Sequence, residues 1–156
     1  MADAALAHAT FTVERTYAAT PARVFRAFAD RATKARWFGC VDGWEVDEHT
    51  LDFTVGGREV WQGGPPGGAR HRNDTVYHDI VPDERIVWSY SMQLDGTRIS
   101  VSLATVVLRA HGSGTRLTFT EQGVFFDGYD GAAERQHGTG ELLESLGRFI
   151  HGGGSR

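Results

Sequence analysis

Two charged residues in strand-like segments are placed where they could take part in chemistry inside the protein. Glu121 follows Phe119 by two positions, and Arg15 lies between Val13 and Tyr17. Because side chains alternate across a strand, Glu121 and Arg15 each share a face with apolar neighbours. A buried charge without a partner is too costly to keep, so each is expected to pair with another charge or to anchor a polar ligand.

A second group of candidate residues lies in the segment 84–93. Period-two alternation places the following side chains on one face: Ile86, Trp88, Tyr90 and Met92. Trp and Tyr combine a large apolar area with a polar tip, which suits a pocket for a flat or hydrophobic molecule. This inward face is therefore interpreted either as the wall of a binding pocket or as ordinary core packing.

Two further tryptophans, Trp44 and Trp61, lie beside glycine-rich turns and are predicted to line the entrance of such a pocket. The run Gly-Gly-Pro-Pro-Gly-Gly at 63–68 does not read as a phosphate-binding loop, because neither the required Lys and Ser/Thr nor a helix start follows it. The run is interpreted either as a plain connector or as a mobile hairpin over the mouth of the pocket.

Histidines raise the question of a metal or a catalytic base. His71 and His78 lie seven positions apart in a predicted strand and so point to opposite faces, which suits no single metal site. His78 is predicted to share an inward face with Val76 and Ile80, either as an acid or base or as a satisfied histidine of the core or rim. Helical spacing places His137 on a stripe that could reach the end of the cavity.

The motifs of serine hydrolases, zinc peptidases and thiol redox proteins are missing from the sequence. We predict no metal site and no cofactor. The predicted ligand-binding residues are Trp44, Trp61, His78, Trp88, Tyr90, Phe119, Glu121 and His137.

The elements that must position these residues follow from periodicity and turn chemistry. Strand-like alternation begins at Phe11. Thr20 and Pro21 are typical of a helix start, and Asp30 is predicted to cap a second short helix that runs through Arg36. Further strands are predicted near residues 43–48, 51–55, 58–62, 70–81, 84–93, 97–110 and 115–123. A long amphipathic helix ending at residue 150 is predicted to close over this curved sheet and to enclose a space.

Length and composition limit the classes of function. The 156 residues are predicted to form a flexible N-terminus (1–9), one domain (10–150) and a disordered tail (151–156). A net charge of -4 argues against nucleic acid as a partner. No stretch approaches the roughly 20 apolar residues that cross a bilayer, so no membrane contact is expected. The single cysteine allows no internal disulfide, and with no leader-like N-terminus a cytoplasmic location is predicted.

Several short motifs together resemble a known family. They lie at residues 12–30, 35–39, 55–58, 79–87, 114–122 and 138–146. These motifs resemble bacterial homologues of the activator of heat-shock-protein-90 ATPase, within the START-like (SRPBCC) superfamily. The resemblance implies an α+β helix-grip fold like that of START domains and the birch pollen allergen. In that fold a curved antiparallel sheet of six to seven strands wraps around a long C-terminal helix, with two short helices after strand one.

The resemblance also implies contacts that spacing alone does not give. The first and last strands are neighbours in this superfamily, so Arg15 and Glu121 are expected to meet, either as a structural salt bridge or with one of them contacting ligand. Many relatives carry a tryptophan after the glycine equivalent to Gly138, where this chain has Thr139. If Thr139 faces inward, the cavity is expected to be larger or more polar than in those relatives.

Three functions from different classes are compatible with this fold. The first is binding of a small hydrophobic or aromatic molecule between sheet and helix. The second is an enzyme of the polyketide cyclase, aromatase or hydrolase type that uses the same cavity, with Glu121, His78 or Tyr90 assisting proton transfer. The third is a chaperone-associated protein-interaction module. A homodimer is possible in each case.

Overall fold

The computed structural model describes residues 5–129 and 131–153. Within these residues, seven antiparallel strands form one curved sheet in the order β1-β7-β6-β5-β4-β3-β2. The strands are β1 (Leu6–Tyr17), β2 (Glu45–Leu51), β3 (Arg58–Gly64), β4 (His71–Val81), β5 (Arg85–Leu94), β6 (Thr97–His111) and β7 (Gly114–Phe126). The helices are α1 (Pro21–Ala29), α2 (Arg31–Lys34) and the long α3 (Ala132–Arg148), which continues into a π-helical turn at Phe149–Gly153. The expected helix-grip fold is confirmed.

The two short helices begin where the sequence predicts. The Thr20 side chain accepts a hydrogen bond from the Arg23 backbone N–H at 3.2 Å, and Pro21 is the first helical residue. The Asp30 side chain accepts one from the Thr33 N–H at 2.9 Å and so caps α2. That helix ends at Lys34, before the predicted end.

Strand pairing makes the first and last strands neighbours, as the resemblance implied. In the register of β1 against β7, Phe11 lies opposite Glu121 and Arg15 lies opposite Leu117. The chain then crosses through α1 and α2 to the opposite edge of the sheet, where β2 pairs with β3. This crossover leaves the inner face of the sheet available to α3.

Some predicted boundaries differ from the structure. The predicted strand at 51–55 is wrong, because residues 52–57 form a turn and one strand, β2, takes the place of the first two predicted strands. Strand β1 begins at Leu6, within the segment expected to be flexible. Residues 1–4 and 154–156, which belong to the predicted flexible termini, lie outside the described residues.

Hydrogen bonds and packing fix α3 against the sheet and against the segment that follows α2. Leu143 and Leu146 are fully buried in the core. Burying a leucine side chain contributes about 1.5–3 kcal/mol, so these two residues are a major part of the attachment of the helix. The Tyr17 hydroxyl donates to the Leu143 carbonyl at 2.9 Å, and the Ser145 hydroxyl donates to the Trp37 carbonyl at 2.9 Å. The C-terminal half of α3 is therefore held firmly, and the space lies beside the helix along its length, from Glu134 to Arg148.

Candidate functional site

A cavity of about 500 Å³ lies between the inner face of the sheet and α3. Its wall is rich in aromatic side chains: Trp37, Phe38, Trp44, Trp61, Trp88, Tyr90 and Phe119. The volume falls within the range of about 300–1,000 Å³ that is typical of small-molecule sites. A wider depression of about 960 Å³ lies outside, between β1 and the end of α3, but its lining is mostly polar and open to solvent.

The alternation of β5 directs its aromatic residues into this cavity. Trp88 lies opposite Tyr77 of β4, and its ring centroid is 6.2 Å from that of Tyr77 and 5.8 Å from that of Phe119. Tyr90 and Met92 follow at positions i+2 and i+4 and also line the wall. Trp88, Tyr90 and Met92 therefore lie on the inner face of β5, as the sequence pattern predicted.

The mouth of the cavity is bordered by the segment between α2 and β2. Trp44 stacks on His71 with ring centroids 4.6 Å apart, and also on Trp61 at 6.5 Å. Gly39 has a φ of +73°, and a Cβ on it would lie 2.5 Å from the Trp61 ring, so glycine is required there. Both predicted entrance tryptophans thus lie at the cavity.

The glycine- and proline-rich run at 63–68 agrees with the interpretation as a plain connector and not with a hairpin over the mouth. This run connects β3 to β4, and within the described residues none of its members lines the cavity. The segment from Gly39 to Trp44 borders the mouth instead. Partial burial there lowers the pKa of His71, the imidazole on which Trp44 stacks.

One buried ion pair on the cavity wall joins β7 to α3. Glu121 is 1% exposed, and the Arg135 guanidinium donates to its Oε2 at 3.0 Å. The Tyr90 hydroxyl donates to Glu121 and accepts from Arg135 Nη1 at 2.9 Å, while Arg135 Nη2 donates to Ser100 Oγ at 2.7 Å. Burial, followed by the Glu121 carboxylate, raises the pKa of the Tyr90 phenol, so this hydroxyl stays protonated at neutral pH.

A second buried ion pair joins α2 to β3. Lys34 Nζ lies 2.7 Å from Glu59 Oε1, which also accepts a hydrogen bond from the Tyr77 hydroxyl at 2.6 Å. His49 Nε2 lies 2.8 Å from the other oxygen, Oε2. Burial opposes ionisation of Glu59, but Lys34 and these hydrogen bonds outweigh it and lower the pKa of Glu59 to about 2. The carboxylate is therefore ionised and fully engaged.

The expected pair between Arg15 and Glu121 does not form. Arg15 instead donates to Glu144 of α3 at 2.6 Å, at a site that is one-third exposed. The register explains the error, because four positions of β1 separate Arg15 from Phe11, the residue opposite Glu121. Glu121 finds its cation on the helix, at Arg135.

Both predicted ligand-binding histidines face away from the cavity. His78 is exposed on the outer face and pairs with Ser89 Oγ at 2.7 Å. A β-bulge between Tyr77 and Asp79 breaks the period-two count, so the strand does not place His78 on the inner face with Ile80. His137 is 77% exposed and pairs with Glu141 on the surface of α3.

Several residues that line the cavity were missed by sequence reasoning. They are Lys34, Glu59, Asn73, Thr75 and Arg135. Arg135 could have been found from the sequence, because Thr139 and Leu142 follow it at i+4 and i+7 and therefore share its face of α3. Thr139 is buried and lines the cavity, so it faces inward.

The described residues contain neither a candidate metal site nor a candidate membrane-spanning helix. No group of three or more His, Cys, Asp or Glu residues in this part of the chain could hold a metal ion. No helix in the same part is long and apolar enough to span a membrane.

Similar proteins agree with this architecture. The Mll3558 protein from Rhizobium loti is 52% identical over 92% of this chain and 97% of its own, with a TM-score of 0.85. A protein from Rhizobium leguminosarum is 42% identical over 96% of this chain and 98% of its own, with a TM-score of 0.90. The solution structure of an AHSA1-like protein from Aeromonas hydrophila is 21% identical with a TM-score of 0.73, covers 95% of this chain and 96% of its own, and shares the fold. No curated protein matches the chain.

The family model for the activator of Hsp90 ATPase homolog 1-like proteins matches residues 18–150, which include α1, α2, six of the seven strands and α3. The match covers both the sheet and the helix that enclose the cavity. The chain therefore belongs to the activator of Hsp90 ATPase homolog 1-like family.

Proposed function

We propose that this protein binds a small hydrophobic or aromatic molecule in the cavity between the sheet and α3. The observation that carries the proposal is the cavity itself, about 500 Å³ in volume with aromatic side chains on several of its walls. An apolar wall with a few placed polar groups is the usual composition of a small-molecule site. The helix-grip fold, which fits a ligand-binding domain, supports the same function.

The proposed site residues come from the sheet and from the segment before β2. Those retained from the sequence prediction are Trp44, Trp61, Trp88, Tyr90, Phe119 and Glu121. Aromatic rings supply large rigid contact areas at low entropic cost, so Trp88 and Phe119 are proposed to hold the ring system of the ligand. Glu121 is proposed to act indirectly, because it is fully occupied in holding Arg135 and Tyr90.

A thermal-shift screen against fatty acids, flavonoids, polyketides and aromatic acids tests this proposal. A ligand present at about 100 times its dissociation constant adds roughly 2.7 kcal/mol to the native state, or about 5–10 °C in the unfolding midpoint at this size. We expect a rise for aromatic compounds that Trp88→Ala abolishes. Ser91→Val, on the outer face of the same strand, is the matched control and should keep the rise. The absence of a rise with every class would contradict the proposal.

The enzymatic alternative is separated from simple binding by following the bound compound. Chromatography coupled to mass spectrometry of each compound that raises the midpoint, before and after incubation, detects conversion, including a cyclisation that leaves the mass unchanged. An unchanged retention time and mass with retained binding supports a carrier or sensor, whereas conversion that Tyr90→Phe abolishes supports the cyclase-like function. The cytoplasmic location and the homodimer remain predictions.

A further inference from the structure

One polar group on the cavity wall differs from its neighbours. Asn73 lies on β4 between Trp61 of β3 and Met92 of β5 in the register of the sheet, and all three line the cavity. In the part of the chain that the structure describes, its Oδ1 is buried and has no hydrogen-bond partner. An amide oxygen left in this state costs free energy, so its retention requires a reason.

The buried charged groups of the same wall have no such deficit. Glu121 is paired with Arg135 at 3.0 Å, and Glu59 is paired with Lys34 at 2.7 Å. Each buried cation is thus matched by one buried anion. A ligand that brought a charge of its own would add an uncompensated charge to a low-dielectric site, at high cost. A neutral ligand avoids this cost.

A hydroxyl group on the ligand would satisfy the unpaired oxygen of Asn73. The orphan Oδ1 of Asn73 is an acceptor, and a hydroxyl can donate to it. The side-chain amide also rotates about its last torsion, which is broad, so the oxygen can turn toward a ligand in the cavity. The aromatic neighbours Trp61 and Trp44 would cover the ring that carries the hydroxyl.

We propose that the cavity takes a neutral aromatic molecule bearing a hydroxyl group, and that this hydroxyl donates its hydrogen bond to Asn73 Oδ1. This inference rests on the ligand-binding function proposed above and specifies its chemical class. Asn73 is a binding residue whose hydrogen-bond partner in the native complex is the ligand. This role explains why its oxygen is buried without a partner in the protein.

Calorimetric titration at pH 7 with three matched probes tests the inference. The probes are naphthol, its methyl ether and naphthoate, which share one ring system. Naphthol should bind roughly 2- to 10-fold more tightly than the ether, the factor expected from one net hydrogen bond. Ionised naphthoate should bind more weakly than both, because the two buried cations of the wall, Lys34 and Arg135, are already paired with carboxylates.

The variant Asn73→Leu isolates the hydrogen bond. The ratio of naphthol affinity to ether affinity should fall to about one, while Ser91→Val on the outer face should leave it unchanged. The unfolding midpoint of Asn73→Leu without ligand should be equal to or a few degrees above that of the natural chain, since a buried unpaired oxygen is removed. If Asn73 had only a structural role, the Asn73→Leu substitution would lower the unfolding midpoint. If Asn73→Leu does not fold, the smaller β-branched Asn73→Val replaces it.

The outcomes separate this inference from the proposed function. Binding of all three probes with the naphthol preference intact in Asn73→Leu overturns the role of Asn73 but leaves the cavity site standing. Tightest binding of naphthoate overturns the neutral-ligand class. Failure of all three probes to bind contradicts the proposed function and this inference with it.

Discussion

Two buried ion pairs lie on the cavity wall, and they join different parts of the fold. The Lys34–Glu59 pair links the short helix α2 to β3, 25 positions later in the chain. The Glu121–Arg135 pair links β7 to α3, and its guanidinium reaches two groups on the neighbouring strands in addition. Arginine suits this role because its planar fork presents several donors in a fixed geometry, whereas lysine is a point charge.

The two carboxylates differ in how many hydrogen-bond partners remain when one partner is removed. Glu59 Oε1 is bonded by both Lys34 and Tyr77, and Oε2 has His49. Glu121 is paired with the Arg135 guanidinium, and its Oε1 accepts a hydrogen bond from the Tyr90 hydroxyl. The first pair is therefore expected to be robust and structural. The second holds α3 over the cavity and is expected to be sensitive.

Arg135→Met should have the largest effect. It leaves the Glu121 carboxylate buried without a cation, which typically costs about 3–5 kcal/mol out of a total stability of about 5–15 kcal/mol. Urea denaturation at pH 7 measures the loss. Lys34→Met is the comparison, and it should cost less because His49 and Tyr77 still bond Glu59. A loss for Arg135→Met no larger than for Lys34→Met would break the distinction between the two pairs.

Acid should remove the stabilisation that ionised Glu59 contributes through its pair with Lys34. The folded pKa of Glu59, about 2, lies below its ordinary value of 4.5, so the unfolded chain takes up its proton first as the pH falls. The stabilisation is complete above pH 4.5 and is lost toward pH 2. At about 1.4 kcal/mol per pKa unit it amounts to roughly 3 kcal/mol.

Denaturation curves between pH 6 and pH 2 test this, with Lys34→Met as the comparison at about the same length of side chain. Removing the ammonium group removes the strongest interaction that lowers the pKa of Glu59. The pH dependence of the variant should therefore be shallower than that of the natural chain. Parallel curves for the two proteins would show that Lys34 does not set the protonation of Glu59.

The two tyrosines give a smaller test of the same comparison. Tyr90→Phe leaves Glu121 Oε1 without its donor and should cost about 2 kcal/mol, the usual range for a hydrogen bond to a charged group. Tyr77→Phe should cost less, since Lys34 bonds the same oxygen of Glu59. Urea denaturation of both variants measures the difference. The reverse order would contradict the idea that Glu59 has redundant partners.

The sequence was informative wherever local periodicity decides the outcome. Thr20, Pro21 and Asp30 mark the starts of the two short helices, and period two placed Trp88 and Tyr90 on the inner face of β5. These features depend on neighbours within a few residues. The sequence patterns alone indicated a curved sheet closed by one long helix. The family resemblance identified this arrangement as the helix-grip fold.

The errors occurred where distant strands or a local irregularity decide the outcome. The partner of Glu121 depends on the register of β1 against β7 and on the rotation of α3, so Arg15 was chosen in place of Arg135. The face of His78 depends on one additional residue in β4, which no turn signal announces. His137 was placed one stripe too far inward on α3, where it is exposed.

The position of Thr139 allows the cavity to be blocked directly. This side chain is buried and faces the cavity from α3, and the space of about 500 Å³ can accept an indole ring. Thr139→Trp should therefore fill the site from within. His137→Ala, two residues earlier on the exposed face of the same helix, is the matched control.

Calorimetric titration of naphthol into the natural chain, Thr139→Trp and His137→Ala tests the central claim most directly. Binding in the cavity predicts a loss of at least tenfold in Thr139→Trp, equivalent to about 1.4 kcal/mol, with no change in His137→Ala. Thermal unfolding of each variant confirms that the fold is retained. Naphthol affinity in Thr139→Trp equal to that of the natural chain would contradict a ligand site between the sheet and α3.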